Sequence, residues 1–170
     1  ALVNTETDTP VFFCAVSAPT AAGILTDMDK PDKNATGTSN AIPVSKIIDL
    51  AQATTPVKKI GLIYSGNEDN ATNTVKQCEE YLKSINVEYV EKTAASSNDV
   101  ETATNALIAE GAEAIFVPND SIIQDGVSKL TEICNEKKIP TYCSSATTVA
   151  SGCFATLAID DKGIGKKTVD

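Results

Sequence analysis

Four short segments concentrate the side chains of this sequence that could hold a polar molecule. They are "SAPT" at residues 17–20, "SGNEDNAT" at 65–72, "PNDS" at 118–121 and "SSATT" at 144–148. Each is rich in hydroxyls, amides or carboxylates, and each stands between an apolar run and a helical pattern. Taken singly, such a segment is explained by helix capping, since Ser, Thr, Asn and Asp are the ordinary N-caps. Taken together, the four raise the expectation of a polar, noncovalently held ligand. The candidate contacts are Ser17, Thr20, Ser65, Asn67, Asn70, Asn119, Asp120, Ser121, Ser144 and Ser145.

Other chemistries are harder to build from these residues. The sequence has no histidine, so a Ser-His or Cys-His nucleophile and an imidazole metal ligand are excluded. Cys14, Cys78, Cys134, Cys143 and Cys153 form no CxxC pair, which removes the zinc-ribbon and thioredoxin-like readings. An enzyme is therefore not expected, nor a cofactor or metal. The loop at 65–72 lacks the Gly-Lys of a Walker A loop and the spaced glycines of a dinucleotide fingerprint. A flavodoxin-like loop holding flavin mononucleotide is the nearest rival, giving an electron carrier as the alternative function. Against it, Glu68 and Asp69 would repel a phosphate dianion. Both are expected to face solvent and to favour the positive end of the following helix.

The elements that must position these loops alternate. Residues 11–17, "VFFCAVS", read as a buried strand, followed by a short helix in "TAAGILTDM" and the turn-rich "DKPDKNATG". Val44, Ile47, Ile48 and Ala51 recur at helical spacing, and Pro56 forbids continuation. "KKIGLIYS" is the next strand. Ala71, Val75, Cys78, Leu82 and Ile85 form one helical stripe. "VEYVEKT" alternates as a half-buried strand near a sheet edge does. "SSNDVETATNALIAEG" is a capped helix ending at Gly111, and "EAIFVPN" a buried strand. "DSIIQDGVSKLTEICNEKK" reads as one helix, "IPTYCS" as a strand, "SATTVAS" as a short helix and "CFATLAID" as the last strand. The tail starts a helix.

This alternation gives an α/β fold, a mainly parallel sheet flanked by helices. In such sheets ligands bind beyond the carboxyl ends of the strands, where all four polar segments fall. With 170 residues and 42% hydrophobic content the chain can bury roughly 70% of its unfolded surface. Net charge is −9 with no basic run, so a nucleic-acid partner is not expected. No apolar stretch reaches the ~20 residues of a membrane span. Cys78 and Cys134 fall on apolar helical faces and Cys14 and Cys143 within strands, as small buried hydrophobes do.

The order of segments carries a resemblance. From "PVFFCAVSAPTAAGILTDMDKPDKNATGTSNAIPVSKIIDLAQATTPVKKIGLIYSGNEDN" through "AIFVPNDSII" and "IPTYCSSATTVASGCFATLAID" to "DKGIGKKT", the chain resembles the ABC-transporter substrate-binding protein family that includes tryptophan and tyrosine binders. The resemblance implies a type I periplasmic-binding-protein fold, with one complete lobe and part of the other, closing on a small solute. Residues 1–52 would be a remnant of the first lobe with its crossover helix, 53–156 the second lobe, and 157–170 a truncated return to the first. It further implies capture of a small polar ligand, an amino acid with aromatic ones among the candidates, for an ABC permease. The full-length form would be extracytoplasmic, anchored as a bacterial lipoprotein. Unpaired strand edges would let this piece dimerise.

Two departures from the family pattern concern charge. The chain reads Ser17-Ala18-Pro19 where relatives commonly carry Thr-Asp-Pro, and Ser144-Ser145 where they often carry Asp. Asp120 is left as the expected partner of a ligand amine.

Overall fold

The computed structural model describes residues 9–169. In chain order the elements are β1 (Val11–Phe13), β2 (Ala35–Gly37), α1 (Val44–Thr54), β3 (Lys59–Tyr64), α2 (Asp69–Ser84), β4 (Glu88–Thr93), α3 (Val100–Ala109), β5 (Ala114–Val117), α4 (Ser121–Asp125), α5 (Val127–Glu136), β6 (Thr141–Cys143), α6 (Ala146–Ala150), β7 (Ala155–Thr156) and α7 (Asp161–Val169). They form two compact units, Pro43–Ala158 and the chain on either side of it. Packing groups α1 with the larger unit, whereas the sequence boundary at 52 set it with the smaller.

The larger unit is built on a five-stranded sheet in the order β4-β3-β5-β6-β7. Every pairing in it is parallel. Its middle strands read as continuous apolar runs because helices cover both faces. All four residues of β5 are buried. At the outer position, β4 has only exposed and half-buried residues, as a strand near a sheet edge does, though Tyr89 and Val90 are both half-buried and break a strict alternation. The helices bury the expected stripes: Val44, Ile47, Ile48 and Ala51 on α1, and Ala71, Val75, Cys78 and Leu82 on α2. Ile85 leaves that stripe and is 36% exposed, since α2 ends at Ser84 and Asn86 turns left-handed at φ 55°. The core on one side of the sheet joins Ile63, Val100, Leu107, Ile115, Ile123, Leu130 and Cys143.

The single helix expected over 120–138 is two helices. It breaks at Gly126, whose backbone packs against Val100 and the Ser97 carbonyl. A 3-10 turn at Ser97–Asp99, closed by a reciprocal capping box between Ser96 and Asp99, leads into α3.

The smaller unit holds β1 and β2, a two-stranded parallel sheet, over a small core of Phe13, Leu25 and Ala35. The strand expected over 11–17 stops at Phe13 because Ala15 turns left-handed, φ 54°. Cys14 is consequently exposed rather than buried. The helix expected in "TAAGILTDM" is a turn instead. Ala22 donates to the Ala18 carbonyl, and Gly23, at φ 69°, ends the winding there. β2 forms where the sequence reads only as turns.

Candidate functional site

The register of the larger sheet fixes where the polar loops meet. β3 lies between β4 and β5, and β6 follows β5, all pointing the same way. Their last residues, Tyr64, Val117 and Cys143, therefore deliver Ser65, Pro118 and Ser144 to one edge of the sheet. Eight of the ten sequence candidates belong to these three loops. Ser17 and Thr20 belong to the smaller unit, where Ser17 Oγ donates to Asn40 Oδ1 at 3.0 Å and Thr20 is exposed in the turn that Gly23 closes.

Asp120 is fully buried, at 0% exposure. One carboxylate oxygen accepts the Ser65 amide at 2.8 Å, and the other accepts the Ile123 amide at 3.1 Å, capping α4. The residue expected to meet a ligand amine thus has both oxygens engaged by backbone. Ser65 is also buried, and its hydroxyl accepts the Asn67 amide at 3.3 Å.

The loop after β3 and the loop after β5 exchange further bonds. Glu68 Oε1 accepts the Ser121 amide at 2.9 Å, and Asn70 Nδ2 donates to the Asn119 carbonyl at 2.9 Å. Asn119 Oδ1 in turn accepts from Gln124 Nε2 at 2.6 Å. Glu68 is half-buried and turned across to the neighbouring loop, so the expectation that it faces solvent is corrected; Asp69, in the first turn of α2, is exposed. The reason is the sheet register, which brings the Ser121 amide within reach. Local sequence marks an acid near a helix start but gives no sign of a partner 53 residues away. Glu68 and Gln124 are the site residues that sequence reading missed.

Beyond β6, Ser144 donates its amide to the Val117 carbonyl at 3.3 Å, and Ser145 Oγ pairs with Thr147 Oγ1 at 2.7 Å. Cys143 Sγ donates to the Ser145 carbonyl at 3.3 Å. Hydrogen bonding from the neighbouring Cys153 thiol draws the Cys143 pKa down to about 7, while the same contact and burial push Cys153 up. One hydroxyl nearby, that of buried Thr148 in α6, has no hydrogen-bond partner among the described residues.

The candidates in the larger unit divide accordingly. Ser65, Asn70, Asn119, Asp120 and Ser145 hold the loops to one another or to themselves. The side chains of Asn67, Ser121 and Ser144 carry no hydrogen bond among the described residues, and they are exposed, exposed and half-buried respectively. No Lys or Arg occurs in 65–72, 118–125 or 144–150, whereas Glu68, Asp69, Asp120 and Asp125 do. Such an edge suits uncharged or ammonium groups better than a phosphate.

The family description "ABC transporter substrate binding protein" matches residues 1–170. The chain belongs to this family. It is 34% identical over 168 residues to a tyrosine-binding protein of Clostridioides difficile strain R20291, a match covering 98% of this chain and 48% of the relative. Among solved structures, a conserved domain protein from Vibrio cholerae superposes with a TM-score of 0.85 at 31% identity, over 99% of this chain and 57% of that one. A domain from Streptococcus pneumonia in complex with L-Trp gives a TM-score of 0.82 at 29% identity, over 99% and 58%. The chain thus spans about half the length of these relatives. The expected α/β fold of a periplasmic binding protein holds. The flavodoxin-like alternative finds no support: the family is a solute-binding one, and carboxylates already occupy the Ser65 and Ser121 amides that a phosphate would need.

Proposed function

We propose that this chain is part of the solute-binding component of an ABC import system. It captures an amino acid noncovalently, with tyrosine and tryptophan foremost, and converts nothing. The observation that carries this reading is the 34% identity to a tyrosine-binding protein over nearly the whole chain. The polar edge beyond β3, β5 and β6 supports it, with Asn67, Ser121 and Ser144 free to hydrogen-bond a solute and a buried scaffold behind them. Ser17 and Thr20 are the smaller unit's candidates. Asp120 acts as scaffold, and the ligand amine is met by uncharged groups or by acids at the rim. The wider reading follows the family: an extracytoplasmic, lipid-anchored protein that hands its solute to a permease. The outer edges of β1 and β2, unpaired among the described residues, favour pairing with a second copy, which light scattering at high concentration would detect and a clean monomer would refute.

The test is a thermal-shift and calorimetric screen of the full-length protein against amino acids, small organic acids and flavin mononucleotide. A ligand at ~100 times its dissociation constant adds about 2.7 kcal/mol of stability, a shift of several degrees. A response to tyrosine or tryptophan that Ser121→Ala and Ser144→Ala weaken supports the proposal. A response confined to organic acids or flavin overturns it.

A further inference from the structure

The two loops that end β3 and β5 are tied by carboxylates running in opposite directions. Asp120 of the second loop accepts the Ser65 amide of the first, and Glu68 of the first accepts the Ser121 amide of the second. Asn70 adds a third bond, to the Asn119 carbonyl. The inner rung is fully buried at Asp120, whereas the outer rung, at Glu68, is only half-buried. Between the rungs lies Gly66, whose φ of 76° lets the chain double back. The free side chains flank the outer rung: Asn67 immediately precedes Glu68, and Ser121 is the residue whose amide Glu68 holds.

We propose that Glu68 is a positioning residue of the solute edge. Its carboxylate locks the Ser121 amide and thereby fixes the Ser121 hydroxyl and the Asn67 amide group relative to one another, without itself touching the solute. The proposal rests on the solute-binding reading above. A carboxylate accepting a backbone amide is a charge-assisted hydrogen bond, stronger and shorter than a neutral one. A loop held this way before the solute arrives avoids the ordering cost that binding would otherwise carry. The inner rung cannot do this alone: it reaches Asn67 through the Ser65 hydroxyl, which accepts the Asn67 amide at 3.3 Å, but the Ser121 amide is held by Glu68.

Three variants of the full-length protein separate positioning from charge: Glu68→Ala, Glu68→Gln and Glu68→Asp. Two readouts are needed, hydrogen exchange at the Ser121 amide without solute, and calorimetric affinity for L-tyrosine and L-tryptophan. Glu68→Ala should speed Ser121 exchange and weaken affinity by about tenfold or more. Glu68→Asp keeps the charge but lacks the reach, and should behave like Ala even if the Ala variant folds poorly. Glu68→Gln keeps an acceptor oxygen at full length and should hold affinity within about threefold of wild type. Affinity unchanged in both Ala and Asp variants overturns the proposal. So does a Gln variant that keeps slow Ser121 exchange yet binds as weakly as Ala, which would mean that the charge meets the solute's ammonium directly. A wild-type protein that binds neither amino acid fails the solute reading, and the positioning role falls with it. The exchange contrast at Ser121 would still report whether the outer rung exists, so the two failures are told apart.

Discussion

The carboxylate of Asp120 accepts the amide of Ser65 at 2.8 Å, joining the residues that follow two neighbouring parallel strands. Both residues are buried, at 0% and 6% exposure. An acid in this position would be costly without partners, and here backbone amides supply them. It is the fastening on which the polar edge depends.

Asp120→Ala should therefore be among the most damaging substitutions in the larger unit. It leaves the Ser65 and Ile123 amides without acceptors, at about 1–3 kcal/mol for each buried orphan. Asp120→Asn keeps one acceptor oxygen and should lose about half as much. Urea unfolding of both variants measures the difference. A loss under about 1 kcal/mol for the Ala variant would mean that water reaches these amides, contrary to their burial.

Tyr142 offers a second buried polar test. Its side chain is 1% exposed, and its hydroxyl bonds both Thr54 Oγ1, at 2.6 Å, and Thr55 Oγ1. Thr54 donates its own proton to the Leu50 carbonyl at 2.8 Å, so the tyrosine hydroxyl donates towards Thr54. Tyr142→Phe removes that donor and should cost about 1 kcal/mol by denaturant midpoint. Thr55→Val combined with it should cost less than the two losses added, because the groups share one network. Strict additivity would show that Thr55 stands outside it.

Much of this architecture is legible in the sequence, and the exceptions have a common cause. The stripe of α1 and the apolar runs of β3 and β5 are local patterns, and a local period survives whatever packs on it. The strand expected over 11–17 and the helix in "TAAGILTDM" fail at Ala15 and Gly23, where left-handed backbone interrupts an otherwise apolar run. The loops of the site could be named from their residue types, but not what they do. Asp120 reads as a ligand contact or a cap until the Ser65 amide appears beside it. Glu68 reads as a solvent-facing acid until β3 is placed next to β5. Those partners stand 55 and 53 residues apart, and no short motif encodes that distance.

Gly126 explains why one predicted helix is two. A methyl group built on it would meet the Val100 side chain at 2.7 Å and the Ser97 carbonyl oxygen at 2.8 Å. The second contact is backbone and cannot rotate away. Gly126→Ala should then force α3 and α5 apart and cost about 1–3 kcal/mol, outweighing any gain in helix propensity. Thermal unfolding would show it. A stabilised Ala variant would mean that the junction can straighten into a continuous helix.

Alkaline pH should destabilise the fold through its buried thiols. Burial pushes Cys134 up to about 12 from an ordinary 9.0 and also raises Cys78, with the nearby Glu79 adding to the effect. Between those values the folded state retains protons that the unfolded chain has lost, so stability falls as pH rises. The contribution of these two thiols is intact below about pH 8.5 and declines by about 1.4 kcal/mol per pH unit for each thiol that stays fully protonated. Urea unfolding in reducing buffer from about pH 8 to 9.5 measures the slope, where tyrosines and lysines have only begun to titrate. Replacing Cys78 and Cys134 with Ala should flatten it, even though the lost sulfur lowers stability at neutral pH. An unchanged slope would place the alkaline sensitivity elsewhere. Cys153, whose thiol is raised by its hydrogen bond to Cys143 and then by burial, would be the next residue to replace.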